Sequence, residues 1–373
     1  MQTRHYVGLD LHSTNTYIGV LDENDRRVFK GRFPNKIEVI LAMIEPYRES
    51  IAGIVVESTY NWYWLVDGLM DSGYKVHLAH PPAMQQYSGM KHTDDQHDAF
   101  FLAKLLKLGI LPEGHIYPRE ERQLRDLIRK RLKLVHQRST HILSFKSLVN
   151  RNLGISMPSN EIKRLEEDEM ADIFDNEHLA LSAKANIVAM NSLKWQIYEI
   201  QNAILKAARL KPQFEKLLTV PGIGNTLAMT IALETGDIKR FPSVGDFASY
   251  CRCVGSSRKS NDKVKGSNNR KNGNKYLAWA FVEAAQMARR YYPQAQSFYM
   301  RKCIKAHKVL AIKALAHKLS RVCYYIMRDQ VDFDMARVFG KPLNVDKGCA
   351  SEPNRGLATK PMNPIGMTGA ATK

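Results

Sequence analysis

The chain has 373 residues, 44% of them hydrophobic, and a formal net charge of +18. That length suits two domains with connecting helices, and so large an excess of Lys and Arg favours a polyanionic partner such as nucleic acid. The cysteines (Cys251, Cys253, Cys303, Cys323, Cys349) are odd in number and confined to the C-terminal half, which argues against a secreted disulfide framework. Cys251 and Cys253 are too close for the usual zinc knuckle. No signal peptide precedes the first strand, and no apolar stretch approaches the roughly 20 residues of a membrane span. A cytoplasmic protein is expected.

Tyr6 to Asp10, Thr16 to Leu21 and Val28 to Phe33 read as three short strands separated by turn residues. Asn35 to Tyr47 reads as a helix, Ile54 to Glu57 as a strand, Trp62 to Met70 as a helix and Tyr74 to Ala79 as a strand. From Asp95 to Leu108, Ala99, Leu102, Leu105 and Leu106 recur at helical spacing. A meander followed by helix, strand, helix, strand and helix is a ribonuclease H-like order, and it draws Asp10, Glu57, Asp95 and Asp98 towards one sheet edge. Acids beside strand cores need a neutralising partner, and a hard divalent cation such as magnesium favours carboxylate oxygen. The bland alternative is that Thr93 or Asp94 caps the last helix, with Asp95 and Asp98 as favourable first-turn charges.

From about Glu120 the chain turns charged and helical, with Ile128, Val135, Ile142 and Val149 recurring every seven residues. Leu193, Ile197, Ile200, Ile204 and Ala207 repeat the pattern later, so a long helical hairpin is expected, as a coiled coil or an ordinary bundle. Pro212 ends it. Pro221-Gly222-Ile223-Gly224 then forms a turn between helices, resembling a helix-hairpin-helix, where Gly222 and Gly224 could admit a phosphate near a helix N-terminus. A merely structural tight turn is the alternative. Between Arg252 and Lys275, the cations Arg258, Lys259, Lys263, Lys265, Arg270, Lys271 and Lys275 accompany several serines and a single acid, Asp262. This reads as a flexible basic loop for phosphate contact. A serine there could attack a phosphodiester, although such a serine is more often a surface hydrogen-bonding group.

These motifs together resemble the DEDD-type insertion-sequence transposases with a catalytic serine, a family that includes bridge-RNA-guided recombinases. The resemblance rests on Val7-Gly8-Leu9-Asp10, Glu57, Asp95-x-x-Asp98-Ala99, the Pro-Gly-Ile-Gly turn and Gly236-Asp237 followed by Arg240-Phe241. It continues through Gly273-Asn274 and Ala316-His317-Lys318-Leu319. It implies a RuvC-like α/β domain over 1–115, a helical coiled-coil arm over 116–211 and a mostly α C-terminal transposase domain over 212–330. A tail over 335–373 reads as disordered from composition. The resemblance further implies Mg2+ (or Mn2+) held by Asp10, Glu57, Asp95 and Asp98, and Ser260 as the nucleophile. The implied partners are donor and target DNA, a structured noncoding guide RNA, and further copies of the chain as a dimer or tetramer. Cys251-Arg252-Cys253-Val254-Gly255 stands where the family has a Gly-Leu-x-Pro stretch, and Asn261 stands where it has glycine after the serine. Ser256 and Ser257 are the fallback nucleophiles. Alternatives from the residues themselves are a metal-dependent junction nuclease needing no serine, an inactive nucleic-acid-binding relic, and an ATP-binding kinase of the actin type. The last lacks a second phosphate loop.

Overall fold

A computed structural model describes residues 3–90, 95–209, 211–255, 257–261, 263–267 and 272–340. The N-terminal unit is a mixed sheet of β1 (His5–Leu11), β2 (Asn15–Asp22), β3 (Arg27–Pro34), β4 (Ile51–Glu57), β5 (Val76–Ala79) and β6 (Glu113–Gly114). The spatial order is β3-β2-β1-β4-β5-β6. The meander β1–β3 is antiparallel, β1, β4 and β5 run parallel, and β6 returns antiparallel at the far edge. Helices α1 (Ile37–Ile44), α2 (Tyr63–Asp71), α3 (Pro81–Met84) and α4 (Asp95–Lys107) complete it. One sheet face packs Val7, Leu9, Leu11, Ile54 and Val56 against Ile40, Ile44, Leu65 and Leu69 of α1 and α2. The other packs Val55 and Ala79 against Leu102 of α4.

The expected α1 is shorter than its apolar pattern. Asn35 is not helical: its side chain accepts from Thr16 Oγ1 at 2.7 Å and donates to the His12 carbonyl at 3.0 Å. At the other end Pro46 has no N–H to continue the helical hydrogen bonds, and Glu45–Ser50 becomes a 3-10 turn.

Two long helices form the expected hairpin, α5 (Arg119–Leu153) and α8 (Glu177–Ala208), joined through short α6 (Ser159–Ile162) and α7 (Met170–Ile173). Their seams pack on each other. Ile142, Phe145 and Val149 meet Ala183, Ile187 and Met190 at the tip, while Ile128 and Ile204 join the C-terminal core at the root. Midway the seam opens, with Leu193 and Ile197 only half-buried. The C-terminal region is α9 (Pro212–Leu218), α10 (Asn225–Thr235), α11 (Val244–Tyr250), the ribbon β7 (Ser257–Ser260) and β8 (Lys263–Ser267), then α12 (Lys275–Tyr291), α13 (Pro293–Cys303), α14 (Lys308–Asp329) and α15 (Met335–Phe339).

Two expectations need correction. The basic segment is not simply a loop: antiparallel pairing of Ser257 with Ser267 and of Ser260 with Lys263 makes it a β-ribbon. The tail expected to be disordered from 335 is ordered where it starts. Met335–Phe339 is a helix capped by the Asp334 side chain, and Phe339 packs against Phe298 and Phe333. Residues 341–373 lie outside those described. No helix among the described residues is long and apolar enough to cross a membrane.

One glycine fixes the spacing between sheet and helix on the acidic side. A Cβ on Gly8 would strike the Ala99 carbonyl of α4 and approach the Ala103 nitrogen to 3.0 Å. We therefore expect Gly8→Ala to push α4 off β1 and destabilise the protein by about 1–3 kcal/mol. Urea unfolding checks this, and a variant as stable as the parent would show that α4 does not bear on β1.

Candidate active site

Strand alternation sets the acids on one face. The missing Gly8 side chain points at α4, so Asp10, two residues on, points the same way. In the parallel β1–β4 register Gly8 lies beside Val55 and Leu9 beside Val56, which brings Glu57 beside Asp10 on the α4 side. Asp10 is 4% exposed, and His12 Nε2 lies 3.2 Å from its Oδ2. Asn35 and Asn61 both donate to the His12 carbonyl at 3.0 Å, holding the end of β1. Asp98, one turn into α4, shares a cleft of about 230 Å³ with Glu57, walled by Pro81, Met84, Phe101 and Leu102. Asp95 opens α4, but its side chain lies outside those described, as do Thr93 and Asp94. Among the described residues no group of three or more His, Cys, Asp or Glu stands ready to hold a metal ion. The donors on this face are carboxylate oxygens, which suit a hard divalent cation.

A larger cleft of about 510 Å³ runs beside this edge. One wall carries Ser58, adjacent to Glu57, with His80 and Glu113; the other carries Arg252, Asn274, Lys275 and Tyr276. Arg125 and Arg129 of α5 form its floor with Tyr117. Burial lowers the pKa of His80 and, with help from Arg240 and Arg125, that of His115, which favours their neutral forms.

The second wall is the base of the ribbon. Gly273, at φ +77°, has no room for a Cβ beside the Tyr250 carbonyl. Arg252, itself left-handed at φ +55°, donates from its guanidinium to the Gly273 carbonyl at 2.9 Å. Asn274 N donates to the Tyr250 carbonyl at 2.6 Å. The two chain ends are thus fastened together, and the ribbon projects from a closed base. Ser260 is the last residue before the turn, where Asn261 adopts φ +51°. The backbones of Arg258, Lys259 and Ser260 lie in β7, with their side chains outside those described. Lys263, Lys265 and Lys275 are exposed; Ser256, Arg270 and Lys271 lie outside the described residues.

The glycines of the helix turn behave differently from each other. Gly222, at φ +82°, presses against the Ala284 carbonyl and lies 2.7 Å, as a virtual Cβ, from the Ala288 nitrogen. Its conformation serves close packing on α12. Gly224 is exposed with nothing near a virtual Cβ, and it opens α10, so it is the one of the pair with room for a phosphate.

Sequence reasoning missed the group behind the cleft. Glu234 of α10 is fully buried. Arg129 grips both its oxygens at 2.5 and 2.7 Å, Arg125 Nε donates at 3.0 Å and Asn274 Nδ2 at 2.7 Å. The Tyr117 hydroxyl donates to the Glu234 carbonyl at 2.8 Å and receives Arg240 at 2.9 Å. Burial raises the Glu234 pKa, but the bonds and charges of Arg129, Arg125 and Asn274 outweigh it, and the net shift is downward. A signal existed in the sequence: two arginines one helical turn apart at the root of α5 and an acid in the otherwise apolar α10.

Comparison with known proteins finds similar sequences on both sides of the cleft. A family model described as Transposase, of the DEDD IS110 kind, matches residues 7–152, and one described as Transposase IS116/IS110/IS902 family matches residues 214–300. A transposase for insertion sequence element IS1328 from Yersinia enterocolitica is 24% identical over 341 residues, covering 86% of this chain and 96% of that protein. An insertion element IS110 uncharacterized 43.6 kDa protein from Streptomyces coelicolor is 25% identical over 150 residues, covering 40% of this chain and 36% of that protein.

Glu234 supplies a pH prediction. Its pKa is depressed in the folded state, so its stabilisation is present above the ordinary glutamate value of about 4.3 and fades as pH falls through the lower folded value. Glu234→Gln leaves Arg125 and Arg129 facing a neutral amide and should cost about 3–5 kcal/mol at pH 7. The difference from the parent should shrink as pH drops below 4. Urea titrations at pH 7 and below pH 4 measure both; a cost that does not change with pH would contradict the ion-pair account.

Proposed function

We propose that this chain, an enzyme of DNA transposition whose two ends match transposase family models, cleaves and exchanges DNA strands at a composite site. Asp10, Glu57, Asp95 and Asp98 form one half and Ser260 the other. The observation that supports this reading is the 510 Å³ cleft, whose lining includes both Ser58, next to Glu57 at the sheet edge, and Arg252, Gly273 and Asn274 at the closed base of the ribbon bearing Ser260.

The Ser260 Oγ attacks a DNA phosphorus; the Oγ–P bond forms as the P–O bond to one deoxyribose breaks, and the proton given up by the serine hydroxyl ends, through solvent, on the departing sugar oxygen, which leaves as a hydroxyl. The phosphoserine–DNA ester retains the phosphodiester, so a second DNA hydroxyl can reverse the step and release the serine without nucleotide hydrolysis. Mg2+ or Mn2+ held by the four carboxylates would neutralise charge on the scissile phosphate and help to orient it. Lys263, Lys265 and Lys275 supply phosphate contacts along the ribbon and its base, with Arg258, Lys259, Arg270 and Lys271 completing the set. Arg125, Arg129 and Arg252, fixed before substrate arrives, line the cleft with positive charge.

A structured noncoding guide RNA and a dimer or tetramer complete the proposal. The net charge of +18 supports a polyanionic partner beyond one short DNA duplex.

Ser260→Ala and Asp10→Ala should each abolish strand exchange while DNA binding persists. Denaturing gels of nicked or paired DNA substrates would show the covalent adduct with the parent protein alone. An adduct in Ser260→Ala would remove Ser260 as nucleophile, and undiminished cleavage by that variant would favour hydrolysis by water, as in a junction nuclease.

A further inference from the structure

From Ala284 to Arg328 there are 45 residues with ten Lys or Arg and no Asp or Glu. Most of this stretch is the pair α13–α14, and the part after residue 300 lies beyond the matched C-terminal family model. None of the cleft's lining residues belongs to these helices. The corner joining them is unusually bare. Ile304 is 83% exposed, Val309 57%, Leu310 56% and Met300 56%. Arg301, Lys302, Lys305 and Lys308 are exposed around these side chains, with Lys313 one turn further along α14.

The packing beneath the corner is sound. Ala295, Tyr299, Ala311, Ile312 and Leu315 lie in the C-terminal core, so the exposed aliphatic group sits on a rigid support. The charges are not balanced locally. Lys318 has its pKa lowered, first by burial and then by the charges of Arg321, Arg301 and Lys302. Its ammonium and that of Lys302 both lie over the Phe298 ring, at 5.3 and 5.6 Å. Arg301 and Lys302 suit the C-terminal end of α13. Lys308, at the start of α14 with no acid in the first turn, opposes the helix dipole. An arrangement that repels itself and also opposes a dipole gains from an anion brought to it.

We propose that the α13–α14 corner is a second DNA-binding surface, distinct from the cleft, in which Ile304 wedges against a base step of a duplex while Lys305 and Lys308 hold the flanking phosphates. The chemistry favours a duplex over an unpaired strand. Unpaired bases are held by stacking on aromatic rings, and the exposed apolar residues at this corner are aliphatic. Aliphatic wedges with flanking Lys and Arg are the usual means of kinking a B-form minor groove; A-form RNA is recognised by its shape and 2′-hydroxyls. The proposal rests on the DNA-recombinase reading for its choice of partner but needs neither the serine nor the carboxylates.

Full-length protein, wild type and variants, would be titrated against a 30-base-pair DNA duplex across a salt series. With two phosphate contacts removed, Lys305→Ala/Lys308→Ala should lower the slope of log affinity against log salt by about 2. Ile304→Ala should leave that slope in place but reduce duplex bending, read by fluorescence transfer between end labels. Thermal melting of each variant separates loss of binding from loss of fold. Unchanged slope and unchanged bending in folded variants overturn the proposal. So does an effect confined to a structured RNA of equal length, which would assign the corner to RNA instead. Because binding is read without strand cleavage, failure of the Ser260 assignment would leave these results unaffected.

Discussion

A single carboxylate, Glu234, ties the three parts of this chain to one another. It sits in α10, takes charge from Arg125 and Arg129 at the root of the arm, and receives Asn274 from the end of the ribbon segment. Its backbone carbonyl receives Tyr117, which stands just after the last strand of the N-terminal sheet. A fully buried carboxylate is tolerated only with such compensation. The consequence is geometric: moving the arm or the ribbon base leaves the buried carboxylate short of a partner, and moving the sheet leaves the Glu234 carbonyl without the Tyr117 hydroxyl. That is why the cleft between the sheet edge and the ribbon has a defined width before any substrate arrives.

The motifs that are scattered in sequence gather around this carboxylate. Gly236, at φ +64°, ends α10 where a Cβ would lie 2.8 Å from the Tyr117 ring. Asp237 caps the following turn, and Arg240 bonds both the Thr235 carbonyl and the Tyr117 hydroxyl. Gly273 and Asn274 close the ribbon. Residues that look like separate fragments of a pattern are thus parts of one clamp, and their spacing reflects the chain lengths needed to reach it.

Much of the N-terminal fold was legible because its strands alternate or run apolar over their whole length and its helices repeat at 3.6 residues. The face on which Asp10, Glu57 and Asp98 lie was legible from strand order. The closeness of α4 to β1, which turns on Gly8, was not. Periodicity says which side of a helix is buried, but not how near it can come. The Glu234 cluster was equally hidden, since arginines in α5 and an acid in α10 each read as ordinary helix surface until the helices are crossed. The ribbon was missed for a simpler reason. Its strands are polar on both faces and carry no apolar alternation, so their pairing depends on the turn at Asn261 and on the fastened base.

The departures of this chain from the pattern it resembles can be judged by what each position must do physically. Asn261 replaces a glycine, yet its φ of +51° is the left-handed conformation that asparagine tolerates better than most side chains. The left-handed conformation after Ser260 is therefore one this chain adopts without a glycine. Cys251 is wholly buried and its thiol is pushed well up by burial, while Cys253 is raised to about 11 by the same cause. Both are neutral at physiological pH and pack as small apolar groups. Between them Arg252 reaches across to the Gly273 carbonyl at 2.9 Å. The base of the ribbon is thus closed by hydrogen bonds, from the Arg252 guanidinium to the Gly273 carbonyl and from the Asn274 N–H to the Tyr250 carbonyl, with Cys251 packed beneath it in the core.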